Sequence, residues 1–127
     1  MIEKVKTSSG NMIWFEFHER LTEADLDEVL LPSIEDAVRR YGNARVLLDV
    51  EDLEGLTAGV GWLRFSHKTS IREVEQIAIV GKEEWRIQLT YLAEYILGLR
   101  DTEIRFFRED QKAEAWMWLR QGRVYAR

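Results

Sequence analysis

The chain has 127 residues, 46% hydrophobic and 32% charged, with a net charge of −5; that balance describes one folded domain and not a disordered chain. An acidic surface excludes DNA or RNA as the main partner and disfavours anionic lipid headgroups, because both need basic residues. The absence of cysteine removes disulfides, Cys-ligated zinc and thiol nucleophiles.

The opening Met-Ile-Glu-Lys-Val has no apolar core behind a basic start. No apolar run approaches the roughly 20 residues of a membrane span. The expectation is a cytoplasmic protein without stable membrane insertion. Neither repeats nor linkers divide the chain, so residues 1–127 read as a single domain. Its core covers about 1–121, followed by a short basic tail. Arg120, Arg123 and Arg127 read as charges favouring a helix C-terminus and a solvated end.

Ile2 to Lys6 reads as a short strand, and Ser8-Ser9-Gly10-Asn11 as a turn. From Met12 to Glu19 the pattern alternates, with Ile13, Phe15 and Phe17 on one side and Trp14, Glu16 and His18 on the other. That is a half-buried strand, pairing with the first as an antiparallel hairpin. Thr22 is placed as a helix N-cap with Asp25 at the capping-box position. The helix runs to Tyr41 and ends at Gly42, with Pro32 expected to kink it near Glu28. Arg45 to Val50 is the next strand. A loop with Gly55, Gly59 and Gly61 leads to a helix from about Ala58 to Arg72. Gln76 to Val80 is a short apolar strand, Glu83 to Leu97 a helix, Thr102 to Phe107 a strand, and Glu109 to Gln121 the last helix.

The order β-β-α-β-α-β-α-β-α predicts an α/β fold with a mostly parallel sheet. Each longer strand has one strongly apolar face and one mixed face: Trp14/Glu16/His18, Leu47/Asp49, Ala78/Val80 and Arg105/Phe107. A sheet covered on both sides reads as near-continuous apolar runs. The expectation is therefore helices mainly on one face and a second face thinly covered or wet.

The strongest polar candidate is Asp49-Val50-Glu51-Asp52-Leu53-Glu54, at the end of a strand where open α/β sheets gather ligands. Its spacing fits no EF-hand loop, and it reads as solvated loop carboxylates. A carboxylate-based hydrolase or metal enzyme using Asp49, Asp52 and Glu54 is the weakest of three functional readings. Gly55 to Gly61 lacks the spacing of a phosphate loop. His18 and His67 are the only histidines, and no metal or nucleophile partner can be read from their spacing. With no cysteine, no metal site or other cofactor is expected, and no nucleophile elbow supports a catalytic triad. Aromatic residues exceed what one core stripe per helix needs: Trp62 and Phe65 after the glycine loop, Trp85, Tyr91 and Tyr95 on the next helix. The surplus predicts an apolar groove or a self-association face between those two helices.

An ordered set of residues resembles the SpoIIAA-like branch of the STAS (anti-sigma-factor antagonist) superfamily, whose fold is also likened to the CRAL-TRIO lipid-binding domain. It comprises Leu31-Pro32, Leu47-Leu48-Asp49, Glu54-Gly55, Trp62, Ile77-Ala78-Ile79-Val80-Gly81, Trp85, Phe106-Phe107, Ala115 and Trp118-Leu119. The resemblance implies a non-catalytic domain that binds a protein partner, a second copy of itself, or an apolar small molecule. In regulatory STAS proteins an Asp-Ser-Ser-Gly turn is phosphorylated by a partner kinase. The matching stretch here is Leu56-Thr57-Ala58-Gly59, which makes Thr57 the candidate phosphoacceptor while replacing the aspartate and the second serine.

Overall fold

The computed structural model describes residues 1–5, 10–56, 73–87 and 102–122. Five strands form one sheet in the order of the sequence: β1 (Ile2–Lys4), β2 (Met12–Leu21), β3 (Ala44–Leu56), β4 (Val74–Gly81) and β5 (Glu103–Arg108). β1 lies antiparallel on β2, as the hairpin pattern predicts. The other three pairings are parallel. Two described helices pack on the sheet, α1 (Leu31–Tyr41) and α2 (Lys112–Gln121).

The entry to α1 follows from local chemistry. The Thr22 backbone N–H donates to Asp25 Oδ2 at 2.9 Å, and the Asp25 N–H donates back to Thr22 Oγ1 at 3.2 Å. This is the reciprocal capping box. A helical turn, Glu23–Asp25, leads into a π-helical segment, Leu26–Leu30, before α1 begins. Pro32 carries no N–H to continue the ordinary ladder, and the wider turn absorbs the break: the Leu31 N–H bonds Leu26 O. Gly42 then closes the helix with φ 84°.

Ile13, Phe15 and Phe17 of β2, Val46 and Val50 of β3, and Ile77 and Ile79 of β4 are all buried on one face. Leu26, Leu30, Leu31, Ile34 and Ala37 cover them. The mixed face divides along its length. Leu47, Ala78, Val80 and Phe107 are buried beneath Ala115 and Leu119 of α2, so this half is dry under one helix. Trp116 and Trp118 flank that contact, against Trp14 (ring centroids 5.5 Å apart) and Phe107 (5.8 Å) respectively. The two described helices thus lie on opposite faces.

β3 differs from its expected extent. It continues for 13 residues to Leu56, because β2 offers it a pairing partner as far as Leu21. The acidic stretch expected as a loop is therefore strand.

The α2-facing positions of β3 are Arg45, Leu47 and Asp49. Arg45 donates through Nη1 to Leu119 O (3.2 Å) at the carboxyl end of α2, and its Nε pairs with Glu75 at 3.1 Å. Leu47, fully buried, sits under the middle. Asp49 meets Lys112, the first residue of the helix, at 3.1 Å. A positive charge at the helix C-terminus and a negative one at its N-terminus both complement the helix dipole. The lengths agree as well: four strand residues span about 13 Å, and seven helical residues about 10 Å. Gly122, at φ +79°, ends α2 where an added Cβ would stand 2.9 Å from Arg45 Nη2.

Candidate functional site

Beyond the start of α2, the mixed face becomes polar. Here the register places Glu3 of β1 beside Glu16 of β2, Glu16 beside Asp49 of β3, and His18 beside Asp52. The β2–β3 register shifts between Glu16 and His18 and again between Glu19 and Arg20, and Glu19 takes φ 59°. Bulges of this kind re-aim side chains at sheet ends.

Two neighbouring constellations result. In the first, the Lys112 ammonium lies between Asp49 and Glu51, and Asp49 Oδ1 also accepts the Glu51 N–H at 3.3 Å. Burial pushes the Asp49 carboxyl up from its ordinary value, and the Lys112 bonds offset this only in part. Burial alone would pull Lys112 down, but bonds from Glu51 and Asp49 reverse this and hold the ammonium well above its ordinary range. A lysine so held is a charged tie between helix and strand, not a neutral nucleophile. Asp49 is only 5% exposed, so the expectation of a solvated loop carboxylate does not hold for it.

In the second constellation, three carboxylates surround His18. Its Nε2 lies 3.5 Å from Glu16 Oε2 and 3.9 Å from Glu3 Oε2. Its Nδ1 lies 3.6 Å from Asp52 Oδ2. Asp52 and Glu3 are exposed, and Glu16 and His18 are partly so.

Among the described residues, the hydroxyl side chains of serine and threonine are all engaged in local structure. Thr22 belongs to the capping box, donating to Asp25 Oδ2. Ser33 donates to Val29 O at 2.8 Å, and Thr102 to Val74 O at 2.7 Å. A cavity of about 170 Å³ opens beside α1 and β2, lined by Lys4, Met12, Ser33, Asp36, Arg40 and Tyr41. It is lined mainly by polar and charged groups.

The candidate phosphoacceptor Thr57 and the groove residues Trp62, Phe65, Tyr91 and Tyr95 lie outside the described residues, as does His67. Trp85 closes a short 3-10 turn, Glu83–Trp85, and its side chain is likewise outside them. Two residues later Ile87 is 82% exposed. Of the acidic stretch, Asp49 and Asp52 join separate constellations, and Glu54 lies within β3. The set around His18 escaped the sequence reading because its members come from three strands. The i, i+2 pair Glu16/His18 on one strand face was the available signal; nothing in the sequence marked Lys112.

A family model described as SpoIIAA-like matches residues 12–120. Among solved structures, one similar chain is an uncharacterized protein with a SpoIIAA-like fold from Shewanella loihica. It is 22% identical, with TM-score 0.66, over 94% of this chain and 92% of that one. No curated protein matches.

Proposed function

The chain belongs to the SpoIIAA-like family, and from that premise we propose that it is a non-catalytic, STAS-like regulatory module that docks a protein partner on the carboxyl edge of its sheet. The observation that carries this reading is the polar half of the mixed face. Glu3, Glu16, Asp52 and His18 lie together there on a rigid sheet, at least partly open to solvent. The edge is acidic, so the partner it suits presents basic residues, and complementary charge sets both encounter rate and register. Thr57, the candidate phosphoacceptor, is the next residue in sequence after β3. Membership of the SpoIIAA-like family supports the non-catalytic part of the proposal.

Charge reversal tests the reading. A double variant, Glu16→Lys with Asp52→Lys, alters partly or fully exposed groups, so its stability should stay within about 1 kcal/mol of the parent. Quantitative co-purification from the native host should lose the partner recovered by the parent chain. Recovery of the same protein at the same yield from both chains contradicts the docking edge.

A further inference from the structure

The cluster around His18 has a geometry that protein docking does not require. The antiparallel register sets Glu3 against Glu16, and His18 follows on the same strand beyond the bulge. One ligand atom from each of the three lies within 4.8 Å of the others. Both glutamates address the same imidazole nitrogen, Nε2, at 3.5 and 3.9 Å. An ion with bonds of about 2.0 Å to tetrahedral ligands has donors about 3.3 Å apart, so the three donors need close in by only small side-chain rotations. The other nitrogen, Nδ1, faces Asp52 at 3.6 Å. A carboxylate on that side would hold the imidazole with Nε2 toward a metal once it closes to hydrogen-bond distance.

Charge points the same way. Of the neighbouring ammonium groups, Lys112 is already shared by Asp49 and Glu51, and that of Met1, which donates to His18 O, pairs with Asp25. Glu3, Glu16 and Asp52 converge on one imidazole, leaving an excess of negative charge that a divalent cation would neutralise. The donor set of one imidazole and two carboxylates suits a transition ion of the zinc type. Calcium and magnesium prefer oxygen donors alone.

We propose that Glu3, Glu16 and His18 form a binding site for one divalent transition-metal ion of the zinc class, with Asp52 positioning the imidazole from behind. Three protein ligands leave a fourth position open to water or to a donor from a partner. The proposal does not depend on the docking reading, since the ion is tested on the isolated chain.

Calorimetric titration of the full chain with Zn²⁺, and visible spectroscopy with Co²⁺, provide the test. The expected result is saturable binding of one ion per chain, with the ligand-field absorption of four- or five-coordinate cobalt. His18→Ala and Glu16→Gln should each abolish it. Asp52→Asn should weaken it about tenfold or more, as loss of an orienting carboxylate does. Circular dichroism of each variant separates loss of ligation from loss of fold, and Glu16→Gln keeps the test available should His18→Ala unfold. No saturable binding of either ion, or binding unchanged in a folded His18→Ala or Glu16→Gln variant, overturns the proposal.

Discussion

Phe15→Ala should destabilise the fold by about 3–5 kcal/mol, the cost of deleting a large aromatic ring from a close-packed interior. Phe15 is 0% exposed and sits mid-strand in β2, paired with Lys4 on one side and Leu48 on the other. It shares its cluster with Leu26, Leu30 and Ile34 from the helical layer and Val46 and Ile77 from the sheet. Sheet neighbours are fixed by backbone hydrogen bonds, so the hole can close only from the helix side. A domain of this kind has a total stability of about 5–15 kcal/mol, so the variant loses a large fraction of it. Urea unfolding followed by tryptophan fluorescence measures the change. A loss below about 1 kcal/mol would mean that β2 does not hold the centre of the core.

Lys112→Met should cost about 2–3 kcal/mol, because it leaves Asp49 buried without its counter-ion. The upper range for broken buried pairs does not apply, since the lysine side chain is 35% exposed. The effect carries a pH signature. Asp49 already has a carboxyl raised above its ordinary 3.8, and losing the ammonium raises it further. Between the unfolded and folded values the native chain binds the extra proton, so stability rises as pH falls through that window. The variant should therefore lose less at pH 5 than at pH 8. The parent chain shows the complementary limit. Lys112 is held above its ordinary 10.5, so the tie is fully present below that pH and is lost only as pH rises through the folded value. Adding Asp49→Asn to Lys112→Met should recover part of the loss. A pH-independent deficit would show that the deficit comes from lost packing of the lysine stem and not from charge.

These two effects mark what the sequence revealed and what it concealed. Alternation at Ile13, Phe15 and Phe17 determines which side of β2 is core, since a strand has only two faces. The capping pair Thr22/Asp25 and the terminal Gly42 bracket the whole helical run from Glu23 to Tyr41, though not its division at Leu31. The mixed face was harder. Leu47 and Asp49 share it, yet one lies in apolar packing and the other in an ion pair, because α2 covers both and supplies different groups at its middle and its start. No local pattern encodes which helix arrives over a strand. The length of β3 was hidden for a similar reason: Glu51 to Leu56 look like loop, and only the pairing with β2 through Leu21 makes them strand. The cluster at His18 needed both kinds of information, the register of three strands and the bulge after Glu16.

On the proposed docking reading, the acidic carboxyl edge is the working face and the opposite end of the sheet is scaffold. Site-specific photo-crosslinking in living cells addresses it directly, with the reactive side chain installed in turn at Asp52 and at Arg39. Both positions are exposed, and Arg39 lies in the last turn of α1, at the end of the sheet where β3 begins. A discrete crosslinked protein is expected from position 52 and none from position 39. Equal crosslinking from both positions, or a product from position 39 alone, would contradict it.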